Sequence, residues 1–117
     1  MLTDFGLGVS ERQDFEEQRA RLLASVADVF WARWWVSWNF EHRASINPNR
    51  SSYGLKHIAE KESPRGYLTN GVFIAAAVLA GFRWRKIGDG LNAAFFVSER
   101  SVKKAARRVR STPRGGA

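Results

Sequence analysis

Between Arg100 and Arg110 six basic side chains, Arg100, Lys103, Lys104, Arg107, Arg108 and Arg110, are interrupted only by valine, alanine and serine. Cations at this density do one kind of chemistry well: they neutralise phosphates and release the counterions condensed on a polyanion. On a helix over 98–110, capped by Ser98, Val102, Ala105, Ala106 and Val109 form a thin apolar stripe and the cations take most of the remainder. Like charges at i,i+4, such as Lys103–Arg107 and Lys104–Arg108, oppose an isolated helix by a few tenths of a kcal/mol each. The segment is therefore expected to order fully against a polyanion. The competing reading is a solvated basic face or a disordered tail. A helix lying on a membrane is disfavoured, because the stripe carries no Leu, Phe or Trp.

Two smaller groups could add phosphate contacts. Arg83, Arg85 and Lys86 lie just before Gly88-Asp89-Gly90, a turn signal between two strand-compatible runs. Arg65, Tyr67, Thr69 and Asn70 precede an apolar run, where a helix start would offer free N–H groups and the positive end of its dipole. Ordinary capping by Thr69 or Asn70 explains those residues equally well.

Catalytic constellations are not evident. His42 and His57 are the only histidines and Cys is absent, so neither a thiolate metal site nor a thiol nucleophile can form. His57 and Glu60 stand at i,i+3, a pair and not a metal site, and no H-E-x-x-H, Walker, G-x-S-x-G or Rossmann pattern occurs. The expectation is a non-enzyme without cofactor or metal.

Charge is unevenly placed. Residues 1–41 hold seven acids and four bases, residues 42–117 four acids and 15 bases, within a net charge of +8. That asymmetry suits nucleic acid, DNA before RNA. The N-terminus lacks a signal-peptide pattern, and no apolar stretch reaches the roughly 20 residues of a membrane span. A cytoplasmic protein without a membrane partner is the resulting expectation.

Ser10 to Gln13 has the form of a capping box, and one long helix is expected over 10–40. On its wheel Phe15, Leu22, Leu23, Val26, Phe30, Trp34 and Trp38 share a face, with Arg21, Ser25, Asp28 and Asn39 opposite. Residues 29–40 also alternate as a strand would, but the helical pattern continues from the preceding turns. Phe30, Trp31, Trp34, Trp35 and Trp38 crowd one arc. Core or a dimer seam is the expected role, since base-stacking platforms mix aromatics with cations and only Arg33 and Arg43 lie near. Any Trp left exposed would mark a partner surface.

The loop 44–52 should lead to a short helix, 53–62, with Tyr53, Leu55, Ile58 and Ala59 as its apolar positions. Gly71 to Phe82 carries no charge, and at 12 residues reads as a buried core helix over 70–81. A hairpin over 83–97 follows, with Phe82 and Trp84 on one face and Arg83 and Arg85 on the other. The predicted fold is mainly α with a small β-hairpin (α+β), one domain over 1–110 with a flexible tail at 111–117.

This order of elements resembles a winged helix-turn-helix over residues 10–97. The resemblance implies nucleic-acid binding, yet the second helix of the pair lacks the Arg, Lys, Asn or Gln that base reading needs, and residues 63–69 make a longer turn than usual. Binding would then rest on phosphate contacts from Arg65, Thr69, Asn70, Arg83, Arg85, Lys86 and the cations of 100–110. The alternative is a protein-interaction or inhibitor module of the kind mobile elements carry, with Trp31, Trp35 and Trp38 as its partner surface. A homodimer through the same helix belongs to this alternative.

Overall fold

In a computed structural model, residues 11–88, 90 and 92–111 are described, and six elements follow one another. They are α1 (Glu11–Asn39), α2 (Ser52–Glu60), α3 (Asn70–Leu79), β1 (Trp84–Lys86), β2 (Ala93–Phe95) and α4 (Glu99–Ser111). The mainly helical fold with a two-stranded antiparallel sheet is the predicted α+β class. Ser10, Asp89 and the tail beyond Ser111 lie outside the described residues.

Residues 29–39 are helical, not extended. The wheel drawn for α1 is right, but its assignment of inside and outside is inverted. Ala32, Trp35 and Val36 are buried, whereas Phe15, Leu22, Leu23, Val26, Phe30, Trp34 and Trp38 are exposed. The side with Asp28 and Asn39 faces the domain: Asp28 pairs with Arg65 at 2.7 Å, and Asn39 accepts from Arg108. Apolar residues exist on both sides of this helix, so periodicity alone cannot choose which side the domain covers.

Local signals set the next elements. Ser51 caps α2 by accepting the Gly54 N–H at 3.2 Å, and Thr69 caps α3 by accepting the Val72 N–H at 3.0 Å. Gly81, at φ 92°, ends the α3 region in a backbone conformation that favours glycine. On α2 the predicted apolar set is corrected at one place: Tyr53 is exposed and Lys56 is buried. Lys56 survives burial because its ammonium meets Glu60 at 3.0 Å and sits 4.9 Å from the Tyr53 ring and 5.8 Å from that of Tyr67.

Helix α3 is a hub on one side only. Phe73, Ala76 and Ala77 are buried against α1 and α2, while Ala75, Val78 and Leu79 are exposed, which corrects the expectation of a wholly buried helix. An all-apolar sequence cannot report that one flank lacks a cover. The hairpin is shorter than expected, and Phe82 and Trp84 do not share a face. Phe82 is buried and stacked on His42 with ring centroids 3.9 Å apart; Trp84 is half exposed.

Strand β2 pairs with β1 in the register Trp84↔Phe95, Arg85↔Ala94 and Lys86↔Ala93. Its other edge is also occupied. The Arg43 N–H donates to Phe96 and the Asn47 N–H to Phe95, both at 3.0 Å, and His42 bridges Val97. The chain between α1 and α2 thus lies along the sheet in place of a free loop. Asn47, fully buried, joins it to the start of α4: its Nδ2 donates to the Val97 carbonyl at 3.1 Å and to Glu99 Oε1 at 2.9 Å. Arg50 completes the joint with a bond to Glu99 Oε2 at 2.7 Å.

Helix α4 closes the core. Val102, Ala105 and Val109 are buried against α2 and α1 together with Trp35, Phe40, Leu55 and Phe95. The helix runs over Glu99–Ser111. Its apolar side is covered, and covered packing offsets the repulsion among its cations.

Candidate nucleic-acid interface and the outer face of the first helix

The cations of α4 divide by direction. Arg100, Lys103, Lys104, Arg107 and Arg110 are exposed and fall within an arc of about 120° opposite the buried stripe. Arg108 lies at the edge of that arc and is engaged within the fold, bonding Asn39 of α1 and Glu62. Glu62 also accepts from the Trp35 indole at 2.8 Å. Burial works against ionisation of Glu62, but the bonds from Trp35 and Arg108 hold its carboxyl below the ordinary value. Glu99, the only acid of α4, is tied down: hydrogen bonding to Arg50 leads, burial opposes, and Asn47 assists, so its pKa falls to about 2. The outward surface of α4 is left strongly positive.

The hairpin cations form a separate patch. Arg83, Arg85 and Lys86 are all exposed, and the Arg83 guanidinium lies 4.5 Å from the centre of the Phe96 ring. Strand β1 packs on β2 and α4 on α2 and α1, so the two basic groups sit on different elements without substantial packing between them.

The third group does not assemble into an open phosphate site. Arg65 is paired with Asp28, Thr69 caps its own helix, and Asn70 donates to Asn92 Oδ1 at 3.1 Å. Tyr67 is exposed beside Lys56. Capping and tertiary contacts use the groups that the sequence offered to an anion.

The histidines have structural surroundings. His57 Nδ1 lies 3.0 Å from Glu60 Oε1, while Glu60 Oε2 accepts from Lys56 and from the Leu68 N–H. Burial opposes the charge on Glu60, and these bonds outweigh it, so its pKa is lowered. Among the described residues no three His, Asp or Glu gather as a metal site, and no helix is long and apolar enough to cross a membrane.

The candidate partner surface is redrawn. Trp35, at 1% exposure, belongs to the core, edge-on to Phe40 at 5.2 Å. Trp31 is half-buried and stacked on Trp35 at 6.2 Å. Only Trp38 of the three is open, at 74%, and Trp34, which the predicted surface omits, is 57% exposed. Trp38 shares a cleft of about 350 Å³ with Asn39, Glu41, Arg100 and Lys104. Folding therefore brings cations to an aromatic that appears isolated from them in the sequence, because the contact joins residues some 60 positions apart.

Comparison with protein-family models, curated proteins and solved structures found no match to this chain.

Proposed function

We propose that this chain is a small nucleic-acid-binding protein, DNA before RNA, that grips the phosphate backbone and reads few or no base edges. The observation that carries the reading is α4, which presents Arg100, Lys103, Lys104, Arg107 and Arg110 on one solvent face with Glu99 neutralised by Arg50. Arg83, Arg85 and Lys86 act as a second contact on the hairpin. Arg65, Thr69 and Asn70 are left out, being used within the fold. The chain works without catalysis or cofactor.

We read the order of elements as winged helix-turn-helix-like, in keeping with the same proposal. A segment between α1 and α2 lies beside β2, then come two helices and the hairpin. In that arrangement α3 would hold the position of the reading helix, yet its exposed side is Gly71, Ala75, Val78 and Leu79. Such a surface makes no hydrogen bonds to bases, so affinity should depend little on sequence.

Duplex binding measured against salt tests the proposal. Replacing Lys103, Lys104, Arg107 and Arg110 by Ala should flatten the log–log salt slope by about 3–4, since each lost phosphate contact accounts for ~0.9. Weak binding with almost no salt dependence would refute it.

A second reading draws on the exposure of Trp34 and Trp38. It makes the chain an interaction module, of the accessory or inhibitor kind, that presents α1 to a protein.

A further inference from the structure

We propose that the cleft beside Trp38 holds one unpaired nucleotide, guanine before thymine or uracil, with its base on the indole and its phosphate on Arg100 and Lys104. The proposal rests on the phosphate-binding reading of α4 and adds a single base to it.

The cleft lies where the end of α1, and the chain leaving it, meet the first turns of α4. Hydrogen bonds fix that junction. The Glu41 N–H donates to Ser101 Oγ at 2.9 Å, the Ser98 N–H to the Glu41 carbonyl at 2.8 Å, and Ser101 Oγ to the Ser98 carbonyl at 2.8 Å. Asn39 donates to the Trp35 carbonyl at 2.8 Å and accepts from Arg108. The polar groups of Asn39 and Ser101 therefore serve the fold.

Four side chains on the cleft are left for something else. Trp38, Glu41, Arg100 and Lys104 are all exposed. Among the described residues no ion pair or side-chain hydrogen bond engages any of them. At about 350 Å³ the cleft stands at the small end of the ~300–1,000 Å³ range of small-ligand sites.

These four groups are of three chemical kinds, and a nucleotide answers all three. An indole face stacks on the face of a nucleobase. Arg100 and Lys104 stand one helical turn apart and repel each other until an anion comes between them. Glu41 argues against a bare anion as the occupant, because a carboxylate repels a phosphate or an acidic side chain. Its oxygens call instead for N–H donors, which a base edge provides. Guanine carries a ring N–H and an amino group side by side on its Watson–Crick edge, and one carboxylate can accept from both. Thymine and uracil have a single N–H between two carbonyls, which sets a carbonyl against the second carboxylate oxygen. In a duplex that edge is already paired and the base faces are stacked on one another, so the nucleotide must be unpaired. An acidic peptide would meet the two cations but oppose Glu41 and leave Trp38 without a stacking partner.

Fluorescence anisotropy of the full chain tests the cleft with three short DNA strands of equal phosphate number: fully abasic, abasic with one central guanine, and abasic with one central thymine. Their phosphates are the same, so any difference in affinity measures the base. The guanine strand should bind about tenfold more tightly than the abasic one, with thymine in between. Trp38→Ala should bring the guanine strand down to the abasic level, and Trp38→Phe should keep most of the difference. Salt-dependent binding of the abasic strand shows in each variant that α4 is still in place. Glu41→Gln should make guanine and thymine equivalent, because an amide donates as well as accepts. Four results would each overturn the proposal: a guanine strand no tighter than the abasic one, a gain that survives Trp38→Ala, thymine bound as well as guanine by the unaltered chain, or a guanine preference that persists in Glu41→Gln. Each of these leaves the phosphate reading standing. Absence of salt-dependent affinity for every strand removes both readings together.

Discussion

Helices α1 and α4 both turn one side to the domain and another to solvent, but they differ in what the solvent side is made of. On α4 the division is chemical: Val102, Ala105 and Val109 go in, and the cations stay out. On α1 both sides are apolar, so the division is topological and depends on where α3 packs. Amphipathic sequence states its own orientation. Apolar sequence on two sides states only that two covers are needed, and the domain supplies one of them.

Four variants can break or sharpen that contrast, beginning with the largest effect. Trp35→Ala removes a core ring and one of the bonds that the Glu62 carboxylate accepts, and should cost about 3–5 kcal/mol in chemical denaturation. Trp38→Ala should change the stability of the isolated fold by less than about 0.5 kcal/mol. Comparable losses at Trp35 and Trp38 would mean that the two sides of α1 are not distinct. On α4, the Lys103, Lys104, Arg107 and Arg110 replacements should leave stability near its starting value or raise it slightly, because like-charge pairs are removed. Val109→Ala on the opposite side should lower it by about 1–2 kcal/mol.

Acid provides the next test. The folded pKa of Glu99, about 2, lies below its ordinary 4.5. Its contribution is therefore complete above pH 4.5 and disappears as pH falls towards 2, when the unfolded chain binds the proton first. Glu99→Gln should cost on the order of 2 kcal/mol near neutrality and reduce the slope of stability against pH in that window. An unchanged slope would place the acid sensitivity at Glu60 or Glu62. Thr69→Ala should cost about 1 kcal/mol for a lost cap, with DNA affinity unchanged if Thr69 serves α3 alone.

Much of the architecture was legible because it is encoded locally. Ser51 or Ser52, and Thr69 or Asn70, announce helix starts, Gly88 and Gly90 a turn, and the cation spacing of 100–110 a helix with one apolar side; the structure selects Ser51 and Thr69 as the caps. The illegible parts are long-range. Asn47 reads as a turn residue beside Pro48, and its place in a buried joint depends on Val97 and Glu99. The cleft at Trp38 gains its cations only when α4 docks. Arg65 and Arg108 look like phosphate ligands until Asp28 and Glu62, distant in sequence, come alongside. The Trp arc was placed correctly on the helix but not relative to the domain, since residues 28–36 carry apolar groups in nearly every direction.

The joint of Asn47, Arg50 and Glu99 also orders events in time. It closes a loop of about 50 residues, and such non-local contacts form late because their entropy cost precedes their reward. A chain emerging from the ribosome cannot complete its core until α4 has followed, as Val102, Ala105 and Val109 belong to that helix. Core completion should therefore wait for α4 to emerge, with Asn47→Ala slowing refolding less than it speeds unfolding. Stopped-flow rates for that variant give the measurement.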